Sequence, residues 1–385
     1  MKRHLYTSDH EDFRAVVREF VDREVVGNIE GWEQQKLTPR EVWLAAGKQG
    51  ILGLAAPEEY GGAGALRDYR YRNVVIEELN RVFATSLAGG FALQEDIAIP
   101  YIVELGNDEQ KQRWLPGMVT GEIIGAIAMT EPGTGSDLRG IATAGRRVDG
   151  GWIVNGAKTF ITNGIQSDIV IVVVKTDPEG GSRAFSLLVV EREMAGFSRG
   201  RQLAKVGMDG QDTAELIFED VFVPDANLLG ELGGGLNQLR NLLPLERLSI
   251  AAQAVASATS VFASTVTYVD ERRAFGQPIA DFQNTRFELA SMRTEIDVTR
   301  AFVDQCIVAY NASDLTVVDA AEAKLWGSEM QNRVIDRCLQ LHGGYGFMLE
   351  YPVGRAYQDA RVQRIFGGAN EIMKEIIGRD VVGRR

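Results

Sequence analysis

The chain of 385 residues is poor in the residues that build disulfide frameworks and metal centres. Cys306 and Cys338 are its only cysteines, far apart and in no CxxC, which disfavours a disulfide scaffold and fits a reducing compartment. His4, His10 and His342 are the only histidines, and without an HExxH or a cysteine cluster a zinc site lacks ligands. A Ser–His–Asp triad would have to use His342, which sits in a glycine-rich segment. Both common phosphate-binding glycine motifs are missing too. There is no GxxxxGK[ST], and Gly133-Thr134-Gly135 runs into Ser136-Asp137-Leu138, which breaks GxGxxG. A nucleotide cofactor therefore needs some other cradle. Long apolar runs are absent: the longest unbroken aliphatic stretch is Ile169–Val174, far below the ~20 residues of a bilayer span. Residues 1–25 hold no apolar leader, and Asp9, Glu11 and Asp12 come too early for a transit peptide, so the expectation is a cytoplasmic protein without a membrane span. Positive charge is in deficit, 41 Lys and Arg against 53 Asp and Glu, and the net charge of −12 argues against a nucleic-acid partner.

What is present is an ordinary globular balance, 45% hydrophobic and 24% charged, with length for two or three units at about 150 residues each. Three zones follow. Residues 1–121 read as helices. Ser8-x-x-Glu11 is a capping box ahead of Phe13, Val16, Val17, Phe20 and Val21 at helical spacing, and Thr38-Pro39-x-Glu41 opens a second helix. A third runs from about Leu66 to Val82, and a fourth from Asp108 to near Gly121. Residues 122–235 change period. Trp152–Val154, Ile169–Val174, Phe185–Val190 and Leu216–Phe218 are β-rich runs, and Asn155-Gly156 and Asn163-Gly164 read as hairpin turns, so this zone is expected to be antiparallel β. After Gly233-Gly234-Gly235, residues 236–385 return to four long helices near 236–270, 281–311, 316–341 and 354–379, the first with Pro244 near its start as a possible kink. The segregated order predicts an α+β protein: N-terminal helical domain, middle antiparallel β-domain and C-terminal four-helix bundle.

Four motifs carry chemistry, each beside an ordinary alternative. Ala128–Asp137 ends a strand in a glycine-rich turn whose successive N–H groups can cradle an anion, with Ser136 as a further donor; alone, a tight turn explains it. Lys158–Gly164 alternates so that Phe160 and Thr162 share a face suited to a planar ring; alone, a half-buried strand explains it. Gln340–Phe347 places three glycines in four positions after a helix, more than a C-cap requires, and His342 there reads as a packing residue. Glu246-Arg247 stands among Leu242, Leu243, Leu245 and Leu248. Most helix glutamates are solvated, but one so placed is a candidate for burial, which raises a carboxylate toward a useful base.

Together these segments resemble the acyl-CoA dehydrogenase family, over essentially the whole chain. The first motif resembles the family's flavin-contact signature, with Thr134 where a smaller residue is usual. Gln340, Gly343, Gly344, Gly346, Phe347, Glu350, Arg355 and Asp359 match its second signature. The resemblance implies FAD as cofactor, bordered by Met129, Thr130 and Ser136, with Phe160, Ile161 and Thr162 along the isoalloxazine. Arg272, Phe275 and Gln283, with Gln340, Leu341, His342, Gly343 and Gly344, are implied to grip the FAD of an adjacent protomer. Ala369, Asn370 and Glu371 are implied to return to their own protomer's FAD, Ala369 standing where the family often has Thr. Ser136, Arg183, Asn237, Arg247, Gly367 and Gly368 are implied to meet an acyl-CoA thioester.

Many members carry the catalytic glutamate at the position that is Gly367 here. A smaller group, similar to long-chain and isovaleryl-CoA dehydrogenases, supplies it from the helix after the β-domain, and Leu243–Leu248 resembles that segment. The resemblance thus implies Glu246 as the base that removes the α-proton. It also implies a backbone N–H at Gly367 or its neighbour on the thioester oxygen, and FAD as hydride acceptor. An electron-transfer flavoprotein is the implied electron acceptor, and a homo-oligomer, a dimer of dimers or homotetramer, the implied assembly. Two alternatives remain on the same scaffold. An acyl-CoA oxidase would give its electrons to oxygen, and such enzymes are typically longer. A catalytically inert CoA-binding protein would lack a base.

Overall fold

The computed structural model describes residues 3–383. Seven helices come first: α1 (Ser8–Phe20), α2 (Ile29–Gln35), α3 (Arg40–Lys48), α4 (Tyr69–Arg81), α5 (Thr85–Ala92), α6 (Ile99–Leu105) and α7 (Asp108–Thr120), with a π-helical stretch, Leu93–Ala98, joining α5 to α6. The N-cap of α1 is Thr7, one residue before the expected Ser8, and its reciprocal partner is His10, not Glu11. Asn107 and Gln110 form the capping box of α7, and Gly121 ends it in the left-handed conformation. The sequence reading found no helix over 85–105. Every residue of α5 is buried, so the segment has no polar face from which a helical period could be read.

The middle zone is one eight-stranded sheet. Its strands are β1 (Gly125–Ala128), β2 (Ala144–Val148), β3 (Gly151–Thr162), β4 (Ile169–Lys175), β5 (Phe185–Glu191), β6 (Phe197–Gln202), β7 (Thr213–Pro224) and β8 (Leu228–Leu229), in the order β6-β7-β3-β2-β4-β5-β8. The expectation of a purely antiparallel sheet is corrected. β1 lies parallel to β4, Gly125 opposite Ile169, and β2 meets β4 in parallel at Ala144 and Lys175. Residues Ile169–Val174 of β4 are buried on both faces, hence their unbroken aliphatic run. The Asn155-Gly156 hairpin is also corrected. The pair lies inside β3, at a register shift against β7, where Asn155 exchanges hydrogen bonds with Asp220. Gly156 is required there, because a Cβ would stand 2.4 Å from Thr143 Oγ1.

The C-terminal zone holds α8 (Gly235–Glu271), a short ribbon β9 (Arg273–Ala274) and β10 (Gln277–Pro278), α9 (Gln283–Asn311), α10 (Val317–His342), α11 (Pro352–Ala360) and α12 (Asn370–Val381). Three of the four expected helices are continuous, and Pro244 lies within α8 without ending it. The fourth is broken into α11 and α12 by a turn at Gly367 and Gly368, both at positive φ. By length and composition α8 could cross a membrane, but 61% of its apolar window is buried within the protein. Leu248, Ala251, Ala252 and Val255 of α8 pack with Met292 and Ile296 of α9 and Met330 and Val334 of α10 in one apolar cluster, which Tyr69 and Ile76 of α4 join.

Met292 is fully buried, with its sulfur 3.6 Å from Cys338 Sγ. Met292→Ala is expected to cost about 2–5 kcal/mol of stability, and Val298→Ala, on the exposed side of the same helix, less than about 0.5 kcal/mol. Urea denaturation followed by circular dichroism measures both.

Candidate active site

Glu246 lies in the fourth turn of α8, between buried Leu245 and Leu248. Its carboxylate oxygen Oε2 is buried with no hydrogen-bond partner. Burial pushes its pKa up to about 7, against the opposing pull of Arg247 and Lys324. Arg247 is itself buried and its Nε is unpaired. Burial lowers its proton affinity while the Glu246 charge supports it. The buried Tyr101 hydroxyl, also unpaired, lies in the field of both. A carboxylate, a guanidinium and a phenol thus converge without bonding one another, and their free polar atoms remain available to a ligand.

The wall beside Glu246 is the turn between α11 and α12. Gly367 has φ +62, and a Cβ there would stand 2.3 Å from Ile250 Cδ1 and 3.3 Å from Glu246 Oε1. The carboxylate occupies the space that a side chain at 367 would need. Gly368, at φ +89, approaches Met373 and Arg247. The turn is held from beneath by Lys324 of α10, fully buried, whose Nζ donates to Gly368 O and to Asn370 Oδ1, both at 2.8 Å. Asn370 Nδ2 donates to Ser328 Oγ and Glu329 Oε1, each at 3.0 Å, so this side chain is spent within the protein. Burial, then the Arg247 charge, pulls the Lys324 pKa down to about 8. Among the described residues, the backbone N–H groups of Gly367, Gly368 and Ala369 find no protein acceptor. Lys324 was missed in the sequence. The available signal was a lysine on the same helical face as Ala320, Ala321 and Ala323.

A second locus forms where β1 ends beside β3. Thr159 N donates to Thr130 O at 2.9 Å. Fully buried Lys158 donates to Met129 O at 3.1 Å and to Glu131 Oε1 at 2.9 Å. The Glu131 carboxylate also accepts the amides of Ala142 and Thr143, and these hydrogen bonds hold its pKa below the usual carboxylate range despite burial. Phe160 sits at a bulge with φ +60 and is 68% exposed, a costly backbone for an aromatic with no packing to reward it. Ile161 points inward and Thr162 is half-buried. Ser136 is exposed, and Gly133, three residues before it, faces open space. Met129, Thr130, Phe160 and Thr162 are therefore brought together. Lys158 and Glu131, which hold them, had been read only as strand and turn residues.

The third locus joins the end of α8 to the end of α10. Arg272 lies over the Tyr345 ring at 5.5 Å, and the Tyr268 hydroxyl donates to His342 O at 3.2 Å. His342 is buried, its ring stacked on Tyr268 at 4.2 Å and its Nδ1 2.8 Å from Cys338 O. Gly343 and Gly344 face open space, Gln283 and Gln340 are exposed and Leu341 is half-buried. Phe275 is 97% exposed. Among the described residues, no hydrogen bond, ion pair or ring contact links this locus to the Met129–Thr162 locus within one chain. Asn237 and Arg183 are exposed near the start of α8, where Arg183 Nη2 donates to Leu232 O at 3.2 Å. Ala369 is the half-buried N-cap of α12, and Glu371 is exposed.

Comparison with known proteins places these loci in a family. Residues 7–122, 126–221 and 233–382 match the N-terminal, middle and C-terminal domains of acyl-CoA dehydrogenase. The chain is 47% identical over 382 residues to the long-chain specific acyl-CoA dehydrogenase, mitochondrial, of Sus scrofa, covering 99% of this chain and 88% of that protein. The solved acyl-CoA dehydrogenase of Geobacillus kaustophilus is 46% identical and superposes with a TM-score of 0.96 over 99% of this chain and 100% of that one. An acyl-CoA dehydrogenase of Bacillus anthracis solved with FAD is 33% identical, with a TM-score of 0.92 over 98% of this chain and 68% of that one. Sequence and fold agree: the chain belongs to the acyl-CoA dehydrogenase family.

Proposed function

We propose that this protein uses FAD to dehydrogenate a saturated acyl-CoA to its trans-2-enoyl-CoA, with Glu246 as the base and an electron-transfer flavoprotein as the electron acceptor. The observation that carries the reading is the free Glu246 carboxylate resting against Gly367. The second and third loci fit FAD. Phe160 offers an uncovered aromatic face, and the hydroxyls of Thr130 and Thr162 find no protein partner among the described residues. Gly133, Gly343 and Gly344 leave bare backbone for close approach of a large ligand. Ser136, Arg183, Asn237 and Arg247 are assigned to the thioester ligand, together with Gly367 and Gly368. When bound, FAD supplies the acceptor for the hydride that leaves the β-carbon.

The protein's own part is proton removal. A thioester α-carbon is a weak acid, so the negative charge that develops on the carbonyl oxygen has to be met by donors already in place. The unpaired amides around Gly367 and Gly368, fixed through Lys324, are those donors. Glu246 accepts the proton in a chamber dry enough to have raised its affinity for one. Because the Arg272 and Met129–Thr162 loci do not meet in one chain, we assign Arg272, Phe275, Gln283 and Gln340–Gly344 to the FAD of a neighbouring protomer, in a homotetramer built as a dimer of dimers. Medium-to-long or methyl-branched acyl chains are the assigned class, in fatty-acid or branched-acyl breakdown. Buried, unpaired Cys306 and Cys338 suit a reducing compartment, which we take as the cytoplasm.

Four outcomes are expected. Anaerobic titration with acyl-CoAs bleaches the flavin until electron-transfer flavoprotein is added. Rapid reoxidation by air alone points to an oxidase instead, and Glu246→Gln keeps FAD but loses nearly all turnover. Because only the ionised Glu246 accepts a proton, kcat/KM rises with pH up to about 7 and levels off above it, falling about tenfold per pH unit on the acid side. A pH–rate profile measured with a saturated acyl-CoA tests this. Arg272→Ala lowers flavin occupancy after gel filtration; unchanged occupancy counts against the shared site.

A further inference from the structure

Two buried cations face the Glu246 carboxylate, Arg247 from its own helix and Lys324 from α10. Lys324 is the odd one. It is fully buried, yet among the described residues its Nζ bonds only neutral oxygens, Gly368 O and Asn370 Oδ1, both at 2.8 Å. The carboxylates in its field are Glu246 from α8, Glu371 from α12 and Glu329 from α10. Glu371 is exposed, and Glu329 is taken by Arg364 Nη2 at 2.9 Å and by Asn370 Nδ2 at 3.0 Å. That leaves Glu246 Oε2 as the buried, unpaired acceptor facing this ammonium. The other groups around Glu246 are already committed: Asp96, from the π-helical stretch, is held by Arg72 and Ser249, and burial keeps the Tyr101 phenol of α6 protonated. A neutral donor could anchor Gly368 O at a lower desolvation cost, so anchoring alone does not account for a fully buried charge.

We propose that Lys324 is a positioning residue that acts through its charge, strengthening the amides of the Gly367 turn toward the thioester oxygen and holding Glu246 ionised as the base. The inference rests on Glu246 being the base toward an acyl-CoA thioester and adds to that reading the group that tunes it. The route is covalent. Gly368 C=O and Ala369 N–H belong to one peptide group, and an ammonium on the oxygen draws electron density from the nitrogen, making its N–H a stronger donor. That N–H has no protein acceptor among the described residues. When the α C–H bond breaks, the proton goes to Glu246 and the electron pair it leaves delocalises onto the thioester oxygen. Negative charge thus leaves the carboxylate and reappears on the oxygen that the turn's amides meet, and a cation bound to the turn itself faces it there. A carboxylate paired with Lys324 would cancel this field, and the 2.8 Å partners are neutral. The sign is fixed: a nearby cation favours the ionised carboxylate, so removing it raises the proton affinity of Glu246. A mere anchor would lower turnover without that change.

The test compares the FAD-loaded protein with Lys324→Met and with Lys324→Gln, which loses the charge but keeps an N–H donor and serves if Lys324→Met fails to fold. Circular dichroism and retained flavin establish the fold of each. Turnover of hexanoyl-CoA is expected to fall about tenfold or more in kcat. The acid limb of kcat/KM, near pH 7 in the unaltered protein, is expected to move up by about half a pH unit or more. Infrared difference spectra of hexanoyl-CoA labelled with 13C at the carbonyl, bound to the Glu246→Gln protein, read the amides without turnover. The bound C=O stretch is expected to lie below its value in buffer, and adding Lys324→Gln is expected to remove about half of that downshift. A folded Lys324 variant whose acid limb does not move, or whose addition leaves the carbonyl downshift unchanged, makes Lys324 an anchor only, and the proposal falls alone. If hexanoyl-CoA and longer saturated acyl-CoAs neither bind the Glu246→Gln protein nor bleach the flavin of the unaltered one, the acyl-CoA reading falls and takes the proposal with it.

Discussion

Space at position 367 governs the candidate site. The Glu246 carboxylate lies where a side chain on Gly367 would have to go, with 3.3 Å between Oε1 and the nearest Cβ position. A second acidic group, carried on a side chain at 367, would bring its Cβ to 2.3 Å from Ile250 Cδ1. A second would also be electrostatically self-defeating, because like charges in a dry site force one of the pair to take up a proton. On the proposed reading the base therefore comes from α8, the turn carrying glycine at 367. The backbone follows from the same constraint: positive φ at Gly367 and Gly368 breaks the last helix and leaves a run of amides with no helical acceptor.

Three buried charged side chains support this arrangement, and each answers to a different need. Lys324 binds a carbonyl and an amide oxygen, fixing the turn without placing a carboxylate beside the base. Lys158 is paired with Glu131, and the pair clamps β3 to the end of β1, setting Phe160 and Thr162 beside Thr130. Arg72 pairs with Asp96 through one edge only. Buried ion pairs are expensive to desolvate and are weak evidence for stability. What they provide here is position, since a turn or strand end held by a charge with no alternative partner cannot drift without stranding that charge.

The fold was largely legible because its signals are local. Capping residues, the period change after Gly121 and the both-faced apolar run of β4 gave the element types and their order. The failures have physical causes. Thr85–Ile102 is buried on all sides and shows no periodicity. Asn155-Gly156 has hairpin composition, yet its glycine serves a close approach to Thr143 within a strand. The parallel pairing of β1 with β4 joins residues more than forty positions apart, beyond any local pattern. In the site, the leucines around Glu246 were readable as a hint of burial. The contact with Gly367 was not, because it depends on a turn that returns to α8 from over a hundred residues downstream.

The same distinction bears on the buried cluster beside α8. The motifs that identify the family surround the assigned cofactor and thioester positions, where every member must meet the same chemistry. The cavity beside Leu245 is walled by Tyr69 and Arg72 from α4 and by Glu95 and Asp96 from the π-helical stretch, four residues in no motif and on elements far from the base in sequence. A π-helical turn has wider spacing than an α-helix and re-aims the side chains that follow it. Here it places two consecutive carboxylates side by side in the interior, one spent on backbone amides and the other on Arg72 and Ser249. Residues of α4 and of the π-helical stretch thus meet α8, where Ser249 Oγ donates to Asp96, only in the assembled fold.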